Sequence, residues 1–184
     1  MKELVMSQEE ILDVCKRIGS ELTKRLSKEE KLPLFICVMR GALNFMADLQ
    51  KFVDLDILVD YVQVSSYEGT SSTGKIHFAR DVSLDVKDRV VVLVEDVVDT
   101  GVTMKFLKKH FYDMGPKEVL VVSLFDKRAE RVVEVEADYV GKTLTEPKFL
   151  LGYGLDYNDI GRNVPYVYIP TEEEIATFDK KRAK

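Results

Sequence analysis

The chain has only two cysteines and two histidines among 184 residues. Cys15 and Cys37 lack the spacing of a metal site, and both fall in apolar patterns. They read as buried free thiols in a reducing cytoplasm, not as a disulfide. His77 and His110 carry no recognisable chemistry and read as surface or packing residues. No stretch approaches the about 18 apolar residues that a membrane-spanning helix needs. The N-terminal MKELVMSQEE is acidic and amphipathic, whereas a secretory leader is basic and then apolar. Basic residues are outnumbered, 27 against 32 acidic ones, for a net charge of −5. Binding to nucleic acid in bulk therefore finds no support. The phosphate-binding motifs GxxxxGKS/T and GxGxxG are both absent. No repeat, low-complexity tract or linker interrupts the chain, so one domain over residues 1–184 is expected.

The sequence is also rich in hydrophobic residues, at 46%, beside 32% charged ones, which excludes a disordered chain. Ser7-Gln8-Glu9-Glu10 has the spacing of a capping box, and Ile11, Cys15, Ile18, Leu22 and Leu26 recur at helical intervals. LPLFICVM (32–39), VVVLV (90–94) and EVLVVSLFDK (118–127) read as buried strands. DILVDYVQVSSY (56–67) alternates as a half-buried strand does, and ALNFMADLQKF (42–52) and MKFLKKHFYDM (104–114) have helical spacing. ADYVGKTL (137–144), KFLLGYG (148–154) and YVYIP (166–170) read as short strands. The tail, TEEEIATFDKKRAK, opens acidic and closes basic, which suits a helix dipole. Strands alternating with helices imply an α/β fold with a mostly parallel twisted sheet flanked by helices. Such sheets bind ligands at the carboxyl ends of strands where the strand order switches.

One stretch falls at such an end. VVVLVEDVVDTGVTM (90–104) runs from a buried strand into Glu95, Asp96 and Asp99, and then into Thr100-Gly101-Val102-Thr103. The first turn of a helix exposes unpaired N–H groups, Gly101 lets backbone approach an anion, and the two threonines add hydroxyl donors. The turn could cradle a phosphate monoester, or Asp99 or Thr100 could simply cap the helix. Adjacent carboxylates at the end of a buried strand need partners. A ribose diol or a hydrated magnesium ion would serve.

These residues resemble the phosphoribosyl-diphosphate signature of the type I phosphoribosyltransferases. VMRGALNFMADL, SSYEGTSSTG, SLFDK and KFLLGYGLDYNDIGRNVPYV also match, in order, over about residues 35 to 170. The last two segments narrow the likeness to the 6-oxopurine enzymes of that family. The resemblance implies a small hood over the strand ends, formed largely by C-terminal strands and the N-terminal segment. It implies transfer of a phosphoribosyl group to hypoxanthine or guanine, with Mg2+, in a cytoplasmic homodimer or homotetramer with no nucleic-acid or membrane partner. It also implies roles. Glu95 and Asp96 hold the ribose hydroxyls, while Asp99, Thr100, Gly101, Val102 and Thr103 hold the 5-phosphate. Asp99 is in addition the acid/base at the imidazole-ring nitrogen of the purine. Arg40, Gly41 and Arg162 meet the diphosphate, and Glu95, Asp96 and Asp156 meet the metal. Ser66 and Tyr67 belong to a mobile loop that closes over the reacting centre. Lys127 bonds the 6-oxo group, Phe149 stacks on the base, and backbone near Leu150 and Asp156 meets its two-position. Taken singly, Lys127 reads as an exposed strand-end lysine, Phe149 and Tyr153 as core aromatics, and Arg162 as a solvated loop charge. Arg40 departs from the family's usual lysine, but its backbone role belongs to an unusual peptide bond expected before Gly41. A xanthine-preferring enzyme and a phosphoribosyl-diphosphate-sensing regulator are the rival readings. The second would need a basic surface or an added DNA-binding domain, whereas this chain is acidic and shows no spare segment for one.

Overall fold

A computed structural model describes residues 2–66 and 76–182. Tyr67 and the 68–74 segment, expected to close over the site, lie outside the described residues. The chain order is β1 (Glu3–Met6), α1 (Gln8–Leu26), β2 (Leu34–Met39), α2 (Leu43–Leu49), β3 (Leu58–Ser66) and β4 (Ile76–Arg80). It continues with β5 (Val90–Val98), α3 (Val102–Asp113), β6 (Glu118–Lys127), β7 (Tyr139–Leu144), β8 (Val167–Ile169) and α4 (Glu172–Arg182). No helix among the described residues is long and apolar enough to cross a membrane.

Six strands form the main sheet in the order β4-β3-β2-β5-β6-β7. Every neighbour pair is parallel except β3 with β4, at the edge. Helices cover both faces, so a central strand has no polar side. This is why Val90 to Val94 is apolar without alternation and fully buried. One face packs on α1 and α2 through residues such as Ile18, Leu22, Phe45 and Val92. The other packs on α3 through Leu93, Leu107, Phe111 and Val121. Helix α1 starts where its capping box stands. Ser7 N donates to Glu10 at 2.7 Å, and Glu10 N donates to the Ser7 hydroxyl at 3.2 Å. Both cysteines are buried free thiols.

Two expectations need correcting. KFLLGYG does not form a strand. Leu151 makes one isolated bridge to Tyr168. Gly152, Tyr153 and Gly154 then take φ of 100°, 50° and 101°. Three consecutive left-handed residues cannot continue a pleat. The N-terminal segment, expected beside the C-terminal strands but not as a strand itself, contains β1, which pairs antiparallel with β8 as a separate two-stranded sheet. Only Met6 of β1 is buried, so a strand made by distant pairing left little local pattern.

The connection from β4 to β5 is anchored by Asp60, a buried carboxylate in β3. Burial opposes its charge. The backbone N–H groups of Ser83, Tyr61 and Leu84, with the Ser83 hydroxyl, outweigh burial and lower its pKa from 3.8 to about 2. A depressed acid stabilises the fold above its ordinary pKa, and the contribution disappears as pH falls through about 2. Asp60→Asn should therefore unfold about 2 kcal/mol more easily at neutral pH. In urea titrations the gap from the parent protein should narrow between about pH 4 and pH 2, whereas a constant gap would show that the charge of Asp60 is not what stabilises.

Candidate active site

The order of the sheet reverses between β2 and β5, the two strands that enclose the crevice. Their pairing ends at Cys37 with Val94. Beyond it β5 stays paired only to β6, through Val98 with Asp126. The strands part there, and a cavity of about 350 Å³ opens against Arg40, Gly41, Glu95, Asp96, Asp156 and Arg162. Asp99, Thr100, Gly101 and Thr103 also line it.

Glu95 is buried, and its carboxylate accepts the Asp96 N–H at 3.2 Å. Burial, and then the charge of Asp96, push its carboxyl well above the usual carboxylate range. Asp96 accepts the Val97 N–H at 2.9 Å. Its other oxygen faces Gly41, where an added Cβ would stand 1.9 Å away. Only glycine lets the β2–α2 turn approach this carboxylate so closely. The unusual peptide bond lies one residue earlier than expected. It is a cis bond between Met39 and Arg40. Arg40 is half-exposed and pairs with Asp159 at 2.8 Å.

The turn after β5 is not closed by a side-chain cap. Gly101 is the N-cap of α3 at φ 84°, without a side-chain hydrogen bond. Thr100 Oγ1 accepts the Val102 N–H at 3.4 Å, a marginal length, and Asp99 does not cap at all. The turn is braced from behind instead. Arg131 Nε donates to the Asp99 carbonyl at 3.0 Å, and the same guanidinium pairs with buried Asp126. The Val132 N–H donates to the Thr100 carbonyl at 3.0 Å. Sequence reasoning missed Arg131 and Asp126. The available signal was a charge-dense segment, Asp126 to Arg131, directly after the apolar run of β6.

Lys127 ends β6 and is 8% exposed. An ordinary strand-end lysine would be solvated. Its Nζ lies 3.6 Å from Asp99 Oδ2 and 3.3 Å from Glu130 Oε1. Asp99 Oδ1 is buried without a hydrogen-bond partner, as is Arg162 Nε. Arg162 otherwise pairs with Asp156 at 2.7 Å and donates to the Gly154 carbonyl at 2.6 Å. An orphaned acceptor and an orphaned donor in one crevice leave room for a polar ligand. Phe149, Leu150 and Lys127 do not line the main cavity. Phe149 is half-exposed and meets Tyr157 edge-on at 5.9 Å, while Leu150 is buried. Ser66 closes β3 opposite Ile76, and the adjacent Ser65 and Ile76 line the cavity.

Carboxylate oxygens suit a hard divalent cation. Among the described residues, however, no three acidic, His or Cys side chains converge into a cage. Asp156, moreover, is already engaged by Arg162. Such a donor set fits a cation held by one or two carboxylates, with ligand oxygens and water filling its shell.

A family profile described as "Phosphoribosyl transferase domain" matches residues 7–158. A hypoxanthine-guanine phosphoribosyltransferase from Streptococcus pneumoniae is 41% identical over 174 residues, spanning 94% of this chain and 95% of the relative. A crystal structure of a hypoxanthine phosphoribosyltransferase from Staphylococcus aureus superposes with a TM-score of 0.87 at 34% identity, covering 95% of this chain and 94% of that one. A hypoxanthine phosphoribosyl transferase from Trypanosoma cruzi superposes with a TM-score of 0.89 at 26% identity, covering 99% and 96%.

The raised pKa of Glu95 has a sign that can be measured. An acid whose pKa rises on folding favours the folded state while protonated, and this advantage is lost as pH climbs above the ordinary 4.5. Glu95→Gln lacks that loss. We expect the ligand-free variant to melt higher than the parent at pH 7, with the difference closing below about pH 4. A lower melting temperature at pH 7 would contradict the burial penalty.

Proposed function

The chain belongs to the phosphoribosyltransferase family, and on that premise we propose that it transfers the 5-phosphoribosyl group of phosphoribosyl diphosphate to a 6-oxopurine. The products are IMP from hypoxanthine or GMP from guanine, with release of diphosphate. The observation that carries this reading is one crevice at the sheet's switch point. It has twin carboxylates on one lip, an uncapped helix start beside them, and arginines opposite.

The roles follow the chemistry of each group. Glu95 and Asp96 accept hydrogen bonds from the ribose hydroxyls, and the 99–103 turn receives the 5-phosphate on the open N–H groups of α3. Loss of diphosphate leaves positive charge on the ribose ring. Fixed carboxylates favour that charge by roughly 4 kcal/mol for one pair about 4 Å apart at an effective dielectric near 20. Since this attraction grows with the developing charge, it acts on turnover. Arg162 and the Arg40-Gly41 turn take the diphosphate, Arg162 through the Nε that has no partner in the protein. Magnesium, when bound, supplies countercharge to the leaving group, with Glu95, Asp96 and Asp156 as the protein oxygens available to it. Closure over the reacting centre, which would exclude water that hydrolyses the sugar, is the role the resemblance gives Ser66 and Tyr67, of which Tyr67 lies outside the described residues.

The purine is read by the Asp99–Lys127 pair. A 6-oxopurine presents its N7 and O6 side by side on one edge. An acid and an ammonium 3.6 Å apart complement that edge, Lys127 donating to O6 and Asp99 taking the imidazole-ring proton as attack begins. Phe149, already half-exposed, offers a face for stacking, and backbone near Leu150 and Asp156 meets the two-position. A cytoplasmic homodimer or homotetramer belongs to the same proposal. Val59 and Tyr61, exposed on one face of β3, are side chains that a second copy could cover.

Diphosphate release from phosphoribosyl diphosphate and magnesium, on addition of hypoxanthine, guanine, xanthine or adenine in turn, tests the activity. The proposal expects release with hypoxanthine or guanine and would be sunk by silence with all four. Adenine should be used at least about a thousandfold less efficiently, because its amino group faces the Lys127 donor in a closed site. Asp99→Asn should lower kcat by roughly one to three orders of magnitude while the protein stays folded. Unchanged kcat would remove the acid/base assignment.

A further inference from the structure

Tyr153 is an aromatic residue with no part in the site chemistry described above. It sits in a glycine-flanked loop, yet is 5% exposed and holds φ 50°. Its hydroxyl reaches across to α2, 2.5 Å from Asp48 Oδ2 and 3.2 Å from the Asn44 carbonyl. Burial first, and then the Asp48 contact, push the phenol's pKa upward, so it remains a donor to the carboxylate. Asp48 is held ionised against its burial by Lys51 at 2.8 Å and by this same phenol.

The same two turns meet at further points. The Asn44 side-chain amide donates to the Arg162 carbonyl at 3.1 Å. Within the loop, the Gly154 N–H donates to that carbonyl at 2.9 Å, and the Tyr153 N–H to the Val164 carbonyl at 2.7 Å. A Cβ on Gly154 would stand 2.0 Å from the Gly41 carbonyl, so the loop lies directly on the Arg40-Gly41 turn. Helix α2 begins at Leu43, two residues after that turn. One short helix therefore carries Arg40 and Gly41 at its entrance and grips the loop of Asp156 and Arg162 with its side chains.

We propose that Asn44, Asp48 and Tyr153 are positioning residues that set the spacing between the Arg40-Gly41 turn and Arg162, and so tune affinity for the diphosphate group without touching it. This rests on the phosphoribosyl transfer proposed above. The purine-reading pair, Asp99 and Lys127, stands on β5, β6 and the turns after them and makes none of the clamp's hydrogen bonds, although the clamped loop also carries Phe149, Leu150 and Asp156. The larger effect therefore falls on the diphosphate, whose two contacts are the ones the clamp joins.

Tyr153→Phe removes a single oxygen and keeps the buried ring. It should raise KM for phosphoribosyl diphosphate, and Kd for diphosphate alone by calorimetry, by about tenfold, the scale of one hydrogen bond to a charged group. KM for hypoxanthine should rise clearly less, because its O6 and N7 edge is read by Asp99 and Lys127 outside the clamp. Asn44→Ala, at a half-buried position outside the core, should move the same constants in the same direction and serves if the tyrosine variant folds poorly. Asp48→Asn, which retains an acceptor oxygen, should rescue most of the effect seen with Asp48→Ala. Adding Asp48→Ala to Tyr153→Phe should cost little beyond either change alone. If the parent enzyme turns over but the folded variants bind diphosphate as the parent does, the positioning role is wrong. It is equally wrong if both substrates weaken alike. A parent protein that turns over no purine would instead overturn the transfer reaction itself.

Discussion

Two adjacent carboxylates at the mouth of a fully apolar strand govern this structure. The walls of β5 are buried up to Val94, and pairing with β2 ends at that residue. Glu95 and Asp96 are thus the first side chains past the core, too near it to be well solvated. Among the described residues no cation pairs with either of them. Among the described residues, the protein offers the N–H groups of Asp96 and Val97 and the contact of the two carboxyls with each other. Stabilisation has to come from outside, from hydroxyl donors, a cation or a sugar gaining positive charge. The other elements leave this pair accessible: a glycine faces Asp96, and the neighbouring helix starts without a cap.

The basic groups of the crevice are arranged in the opposite manner. Each already has an acid: Asp159 for Arg40, Asp156 for Arg162, and Asp99 with Glu130 for Lys127. For the two arginines, partly exposed ion pairs of this kind contribute on the order of 0–1 kcal/mol. Exchanging them for phosphate oxygens therefore costs little, while the pairing holds the side chains in place before the ligand arrives. The site combines a strained acidic lip with a relaxed basic one, and stability lost at Glu95 is the counterpart of charge stabilisation during the reaction.

Much of this could be read from residue order. The unbroken valines of β5 announced a strand covered on both faces, and Ser7 with Glu10 marked the start of α1. The acids and the D-T-G-x-T turn fell where a parallel sheet binds ligands. What escaped depended on distant partners. Strand β1 exists because β8 lies beside it. The apparent strand of KFLLGYG is instead a left-handed turn, since its glycines serve close backbone approach and not a pleat. Arg131 and Tyr153 act through carbonyls and carboxylates more than 30 and 100 residues away in sequence. The charged run from Asp126 to Arg131 marks Arg131 locally, but no local pattern encodes its distant partner or that of Tyr153.

The most direct test is a crystal structure with a purine nucleoside 5′-monophosphate bound. The account requires the ribose hydroxyls at Glu95 and Asp96, the phosphate on the backbone of the 99–103 turn, and the purine edge against Asp99 and Lys127. A nucleotide held at any other surface, or one whose phosphate lies away from the start of α3, would contradict it.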